Sequence, residues 1–368
     1  MENTIRRNLA LGQSTWVDYI SRNMLVNGEL ERLVEDGVTG LTSNPTIFEK
    51  AISGSPDYDE SLAALSHEGN SPTQIFEALA VEDIRAAAQA LRPVYDAADG
   101  RDGFVSLEVA PTLAYDTEGT VRDARRLWAA VDEPNVMIKV PGTPEGLPAF
   151  TQLIGEGINV NVTLIFALDA YQHVMDAYIA GLQALAQRGG ELGRVASVAS
   201  FFVSRVDTAV DGALEKGGAD ASLQGKAAVA NARAAYALFK ERFARDDFAA
   251  LRAQGAQVQR PLWASTSTKN PAYPDTLYID NLIGPDSVNT MPPDTLQATL
   301  DHGVSALTLE GTGQEANATL SALAEAGMDM DAVTDKLLSD GVDAFAGSYR
   351  QLLESIEVKC GLLAQARS

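Results

Sequence analysis

The sequence has few of the side chains that form disulfides or bind transition metals. It contains one cysteine, Cys360, which excludes a disulfide within the chain and is typical of a reducing compartment. Its three histidines, His67, His173 and His302, are far apart and lack the close spacing of zinc sites or metal-dependent aldolases. We therefore expect a cytoplasmic protein that needs no metal and no cofactor.

Positive charge and long apolar runs are also scarce. The chain has 28 lysines and arginines against 50 aspartates and glutamates, a net charge of −22 at pH 7. This balance argues against nucleic acid and anionic membranes as partners, because both attract positive charge. No run reaches the ~18 consecutive apolar residues that span a bilayer, and residues 1–20 lack the apolar stretch of a signal peptide. An anionic substrate would require cations concentrated at its binding site.

Short apolar runs alternate with longer helical patterns along most of the 368 residues. This alternation indicates βα units and a parallel sheet. Eight runs are strand candidates: residues 14–20, 38–44, 104–109, 136–140, 159–165, 196–204, 261–266 and 287–291. Eight is the strand number of the TIM barrel. The sequence therefore predicts an α/β fold, a (β/α)8 barrel, although residues 306–309 are also strand-like and could displace the eighth candidate.

Helical patterns fill the intervals and continue beyond the barrel. Residues 168–187 and the Ala-rich residues 224–243 are the clearest helices between strands. After the prolines at 292 and 293 the pattern predicts helix to the end of the chain, most clearly over residues 330–359.

No flexible linker or low-complexity segment divides the chain. We expect one domain over residues 1–368, with an N-terminal segment over 1–13 and an additional helical C-terminal extension over 303–368.

One lysine lies inside an apolar strand candidate. Lys139 belongs to the run NVMIKVP at residues 135–141, where strand geometry places Met137 and Lys139 on one face. An ammonium group removed from water must find a partner or lose its proton, and the neutral amine is a nucleophile. An enzyme that forms a Schiff base with a carbonyl substrate needs such an amine.

Five further polar residues share the inner faces of the first five strand candidates or lie at their ends: Asp18, Asn44, Glu108, Asn161 and Thr163. Any one of them could be a hydrogen-bonded polar group of the core or a turn residue. With Lys139 they form a set on five successive strands. In a barrel, polar residues near the carboxyl ends of the strands line the active site, so the set favours a functional interpretation.

These residue types suit an aldol reaction of class I, which uses a lysine in place of a metal. Dehydration of the carbinolamine needs an acid or base, for which Glu108 with a water molecule or Thr163 is suitable. Cleavage of a carbon–carbon bond then needs a second base, and Asp18 is available. Asn44 and Asn161 could hold substrate hydroxyls or the lysine itself.

Four blocks of this sequence resemble the transaldolase family. They are GVTGLTSNPTIF at residues 37–48, IKVP at 138–141 followed by Glu145 and Gly146, GINVNVTL at 157–164 and SFFVSR at 200–205. They occur in the family's order and extend the resemblance over about residues 13–292. With WAST at 263–266, the chain is similar to the longer bacterial subgroup rather than to the short fructose-6-phosphate-aldolase-like one.

The resemblance implies a TIM barrel that transfers a dihydroxyacetone unit from sedoheptulose 7-phosphate to glyceraldehyde 3-phosphate, in the non-oxidative pentose phosphate pathway. Fructose 6-phosphate and erythrose 4-phosphate are the donor and acceptor of the reverse reaction. It also implies the following roles: Lys139 forms the Schiff base, Asp18 is the base for bond cleavage, Glu108 works through water near Thr163, Asn44 and Asn161 position the dihydroxyacetone unit, Ser200 and Phe202 line the pocket, and Arg205 binds phosphate.

The chain departs from the family at one position. Many relatives have a second phosphate-binding arginine after the seventh strand, where this chain has STSTKN at residues 265–270. We assign that role to Lys269, which binds phosphate as a point charge without the two-pronged geometry of arginine. A solvated loop lysine is the alternative, because most lysines are exposed.

Three alternative functions remain open at the level of sequence. A plain aldolase would release free dihydroxyacetone, although Phe202 favours transfer. A pyridoxal-phosphate enzyme would also use a lysine, and it would carry visible absorbance. An inactive barrel could serve as a binding scaffold, against which the joint presence of Lys139, Glu108 and Asp18 argues. We expect sugar phosphates as small-molecule partners and a monomer or homodimer.

Overall fold

Eight parallel strands close into a barrel in the computed structural model, which describes residues 2–218 and 220–366. The strands follow one another in chain order, and β8 pairs with β1 to close the sheet. Their bounds are β1 Gln13–Asp18, β2 Val38–Thr42, β3 Val105–Glu108, β4 Val136–Pro141, β5 Val160–Ile165, β6 Ser197–Phe202, β7 Arg260–Ala264 and β8 Ser287–Met291. The predicted (β/α)8 barrel is confirmed.

Sixteen α-helices surround or extend the barrel within the described residues. They are α1 Thr4–Ala10, α2 Arg22–Val26, α3 Glu29–Asp36, α4 Pro45–Gly54, α5 Asp59–His67, α6 Pro72–Ala97, α7 Thr117–Val131, α8 Gly146–Gly155, α9 Leu168–Gln187, α10 Ser204–Gly217, α11 Ala227–Phe243, α12 Asp246–Arg252, α13 Leu277–Asp280, α14 Pro293–His302, α15 Gly313–Glu325 and α16 Met330–Ala366. None of the helices in these parts of the chain is both long and apolar enough to cross a membrane.

The segment between α14 and α15 is not helical, so the prediction of helix from Pro292 to the chain end was wrong there. Its backbone bonds to the barrel instead, because the N–H groups of Thr308 and Leu309 donate to the carbonyl of Ile283 at 2.9 and 3.2 Å. The Thr308 hydroxyl accepts a hydrogen bond from the Ile283 N–H at 3.0 Å. Residues 306–309 therefore do not form a strand, and Ser287–Met291 is the eighth strand as predicted.

The outer faces of the strands pack against the helices. On β4, Val136, Ile138 and Val140 are fully buried. Their neighbours in register continue the same layer, since Ile138 pairs with Val160 and Val140 pairs with Val162. This aliphatic layer fixes the register of β4, because a shift of one residue would point the Lys139 side chain towards the surrounding helices.

A polar network fills the amino-terminal end of the barrel. Asp102 accepts hydrogen bonds from the Ser14 hydroxyl and from the Trp16 indole N–H (2.9 Å), and it pairs with Arg260 at 3.3 Å. The Trp16 ring passes so close to Gly40 that a Cβ there would lie 2.5 Å from the indole. Only glycine leaves room for the ring inside the barrel, so Trp16, Gly40, Asp102 and Arg260 pack closely at this end.

The last helix crosses the carboxyl-terminal side of the barrel. α16 is 37 residues long, and it contacts α4, α5, α6 and α10 as well as β5. The Ser348 hydroxyl bonds to the Thr46 hydroxyl of α4 at 2.9 Å, and Lys359 Nζ donates to the Ile52 carbonyl at 2.8 Å. These contacts hold α16 beside the strand ends where the predicted site residues lie.

Candidate active site

Lys139 lies inside the barrel with its amine close to an acid. Its side chain is 8% exposed, and Nζ is 3.7 Å from Glu108 Oε2. Nζ also donates a hydrogen bond of 2.7 Å to the carbonyl of Ser43, at the end of β2. Glu108 and Lys139 are partners in the register of β3 and β4, so the sheet itself sets their spacing.

Two carboxyl groups flank this amine, and both have perturbed acidities. Burial raises the pKa of Glu108, an effect that the charge of Lys139 opposes and that of Asp18 reinforces. Burial also raises the pKa of Asp18, against the charge of Lys139 and a hydrogen bond of 2.7 Å from the Thr42 hydroxyl. A carboxyl group with a raised pKa exchanges protons more readily near neutral pH, which suits general acid and base catalysis.

The inner face of β5 continues the site with amide and hydroxyl groups. Asn161 is fully buried, and its Nδ2 donates to the Ser106 hydroxyl at 3.2 Å while its Oδ1 accepts from the Ser200 hydroxyl at 2.7 Å. Asn161 is the register partner of Lys139 on β4. Thr163 is also buried, and its Oγ1 has no hydrogen-bond partner among the described residues. It is therefore available to a ligand or a water molecule.

Asn44 has a structural task that leaves part of its side chain free. Its Oδ1 accepts a hydrogen bond of 3.0 Å from the Ile47 N–H and so caps α4, with Pro45 in the first helical position. The Nδ2 group remains as the donor that could reach a substrate. The Asn-Pro pair therefore fixes both the start of the helix and the position of an amide that lines the same cavity as Glu108.

Aromatic and cationic groups follow β6. Phe202 is buried and packs on Phe166, with ring centroids 5.3 Å apart. The Arg205 guanidinium, in the first turn of α10, lies 5.4 Å from the centre of the Phe202 ring. Burial lowers the pKa of Arg205, but a guanidinium stays protonated at neutral pH. Arg205 is therefore a fixed positive charge at the side of the site.

Lys269 is placed differently from the other predicted residues. It is exposed in the loop after β7, and its Nζ donates to the Ser267 hydroxyl at 2.6 Å. The structure brings together Lys139, Glu108, Asp18, Asn161 and Ser200 through the contacts above. It leaves Lys269 in a local hydrogen bond at the rim.

Several residues of the site were not among those predicted from the sequence. Ser43 supplies its carbonyl to Lys139, Thr42 bonds to Asp18, and Ser106 bonds to Asn161. The position of Ser106 could have been predicted, because it lies two residues before Glu108 and so on the same face of β3. Phe345 of α16, whose ring centre is 6.0 Å from Lys139 Nζ, gave no such signal.

The end of β5 departs from the regular alternation that the sequence suggested. Leu164 has a left-handed φ of 59°, and the pairing of β5 with β6 shifts between Val162 and Ile165. A β-bulge of this kind changes the direction of the side chains that follow it. Leu164 therefore does not continue the outer layer of Val160 and Val162, and it faces α16 at Gly341.

The arrangement supports covalent chemistry on a carbonyl compound. The primary amine of Lys139 can add to the carbonyl. Glu108 can act as the acid or base that dehydrates the carbinolamine, and Asp18 can take a proton from a substrate hydroxyl. The buried amides and hydroxyls of Asn161 and Ser200 suit a polyhydroxylated chain, and Arg205 suits an anionic end.

Comparison with known proteins points to one family. The sequence model of the family "Transaldolase/Fructose-6-phosphate aldolase" matches residues 15–356. The chain is 52% identical to "Transaldolase" of Acidothermus cellulolyticus over 350 residues, 94% of each chain. It is 50% identical to "Transaldolase" of Thiobacillus denitrificans, over 94% of this chain and 97% of that one. It is 46% identical to "Transaldolase 2" of Nostoc sp. over 96% of both.

Proposed function

Because this chain belongs to the transaldolase/fructose-6-phosphate aldolase family, we propose that it transfers a dihydroxyacetone unit from sedoheptulose 7-phosphate to glyceraldehyde 3-phosphate. Identity of about 50% to transaldolases over 94% of the chain supports transfer, the activity of a transferase. The observation that carries the proposed mechanism is the buried amine of Lys139, 3.7 Å from the Glu108 carboxylate inside the barrel.

The first half of the reaction forms and cleaves the covalent adduct. The Lys139 amine adds to the ketone carbon C2, and Glu108, with a water molecule near Thr163, delivers the proton that lets hydroxide leave as water. Asp18 then removes the proton of the C4 hydroxyl. The C3–C4 bond breaks, its electron pair neutralises the iminium to give an enamine, and erythrose 4-phosphate departs.

The second half reverses these steps with another aldehyde. The enamine carbon attacks the carbonyl of glyceraldehyde 3-phosphate, and protonated Asp18 returns its proton to the new hydroxyl. Water then adds to the iminium with help from Glu108, and the carbinolamine collapses to fructose 6-phosphate and free Lys139. In this scheme Asn44 and Asn161 hold the dihydroxyacetone hydroxyls, Ser200 and Phe202 line the pocket, and Arg205 pairs with phosphate.

Borohydride trapping tests this scheme directly. We expect that borohydride added with fructose 6-phosphate reduces an iminium on Lys139 and adds a three-carbon unit there, detected by peptide mass spectrometry. The same incubation with erythrose 4-phosphate in place of borohydride should consume that acceptor and form sedoheptulose 7-phosphate, with little free dihydroxyacetone. A label on another lysine would refute the mechanism, whereas free dihydroxyacetone as the main product would indicate an aldolase. Absence of both adduct and turnover would indicate a scaffold.

Lys269 allows a more limited test. If Lys269 binds the phosphate of the substrate, Lys269→Ala raises KM for fructose 6-phosphate about tenfold and leaves kcat nearly unchanged. This increase corresponds to the loss of one charge-assisted hydrogen bond. KM for unphosphorylated fructose should stay the same in this variant. An unchanged KM for the phosphorylated donor would make Lys269 a solvated loop residue, in keeping with its bond to Ser267.

The cellular setting is proposed by the same reasoning. The reaction belongs to the non-oxidative pentose phosphate pathway, and the single cysteine Cys360, which is buried, suits a cytoplasmic location. We further propose that residues 1–368 form one domain that acts as a monomer or homodimer.

A further inference from the structure

The last helix places an aromatic ring over the amine of the site. The centre of the Phe345 ring is 6.0 Å from Lys139 Nζ, which is at the limit for a cation–π contact. Phe345 belongs to α16, far from Lys139 in sequence, and it packs against the main core while remaining partly exposed. One side of the ring therefore borders the amine, and the residue also borders solvent.

The turns of α16 on either side of Phe345 pack closely against other parts of the protein. Four residues earlier on the same helix face is Gly341, where a Cβ would lie 3.0 Å from Leu164 Cδ2 and 3.6 Å from Arg205 Nη1. Four residues later, Tyr349 packs on Phe76 with ring centroids 5.8 Å apart. The backbone of α16 is thus held closely on both sides of Phe345.

We propose that Phe345 is a specificity-determining residue whose ring keeps water away from the covalent intermediate on Lys139, so that the intermediate passes to an aldehyde acceptor instead of being released as dihydroxyacetone. This inference rests on the proposed function. It assigns to the C-terminal extension a part in the chemistry, since the ring comes from α16 rather than from the barrel.

The intermediate has two fates that differ in what bonds to the enamine carbon. In transfer, the enamine carbon forms a bond to the aldehyde carbon, and the aldehyde oxygen takes up a proton. In release, the same carbon takes a proton from water instead. In both fates water then adds to the iminium carbon, and the carbon–nitrogen bond breaks to return the amine. An apolar ring beside the amine obstructs the water that would protonate the enamine carbon in release, while its π face stabilises the iminium cation common to both fates.

The test compares variants of Phe345 with a control on the same helix. Phe345→Ala removes the ring, Phe345→Leu keeps apolar bulk, and Val358→Ala changes a residue of α16 that is 63% exposed. Each full-length variant is incubated with fructose 6-phosphate and erythrose 4-phosphate. Free dihydroxyacetone and sedoheptulose 7-phosphate are measured together, and folding is monitored by thermal unfolding.

We expect Phe345→Ala to raise the ratio of released to transferred dihydroxyacetone about tenfold, with a smaller rise in Phe345→Leu and none in Val358→Ala. An unchanged ratio in folded Phe345→Ala would overturn the inference, even if both rates fell together. If Phe345→Ala fails to fold, the ratio in Phe345→Leu decides in the same way. A wild-type protein that neither transfers dihydroxyacetone nor forms the trapped adduct would instead overturn the proposed function.

Discussion

Lys139→Met is expected to lower the transfer rate by at least about 10⁴-fold, because no other group at this position can form the covalent adduct. Methionine has nearly the length of lysine and suits an apolar strand, so the barrel should fold. The variant should also fail to take up the three-carbon label in the borohydride experiment. Transfer is measured as the formation of fructose 6-phosphate from sedoheptulose 7-phosphate and glyceraldehyde 3-phosphate.

Lys216→Ala is the matched control for this variant. Lys216 is an exposed lysine in the last turn of α10, so its removal should leave both activity and labelling unchanged. Residual transfer above about 1% of wild type in Lys139→Met would contradict the Schiff-base mechanism, since a missing nucleophile allows no partial function.

Asp18→Asn is expected to stop the reaction after the first covalent step. Loss of a general base lowers the rate of bond cleavage by about 10²–10⁴-fold, whereas formation of the iminium depends on Lys139 and Glu108. Borohydride should therefore trap the whole fructose 6-phosphate on Lys139 in this variant, in place of the three-carbon unit trapped in the wild type. The mass of the labelled peptide distinguishes the two adducts.

Thr42→Val provides the comparison for Asp18→Asn. The Thr42 hydroxyl donates to Asp18 at 2.7 Å and bridges to Thr290. Its removal should slow cleavage far less, because the carboxylate itself remains. A three-carbon adduct at the wild-type rate in Asp18→Asn would show that another group takes the hydroxyl proton.

The barrel could be predicted from the sequence because its strands repeat one simple pattern. The apolar layer of Val136, Ile138 and Val140 fixes the facing of β4, and the same alternation places Glu108 and Asn161 inside. Burial of one face specifies register strongly, so a period of two residues suffices to locate inward side chains. The bounds of α9 and β8 were also predicted correctly.

The remaining features depend on contacts between distant parts of the chain. No local pattern shows that the Ser43 carbonyl accepts a hydrogen bond from Lys139, 96 residues later, or that Phe345 approaches the same amine. The left-handed Leu164 breaks the alternation at the point where β5 meets α16. The non-helical segment after His302 follows from hydrogen bonds to Ile283, which compete with helix formation. Each of these features is determined by tertiary contacts rather than by local sequence.

The packed amino-terminal end of the barrel has a consequence for the order of events. Asp102, Arg260 and Trp16 contact one another at the amino-terminal end, so in the proposed reaction the donor, the first product and the acceptor all use the carboxyl-terminal end beside α16. The proposed four-carbon product therefore leaves before the three-carbon acceptor takes its place. In the proposed mechanism, the covalent bond to Lys139 retains the transferred fragment inside the barrel during this exchange.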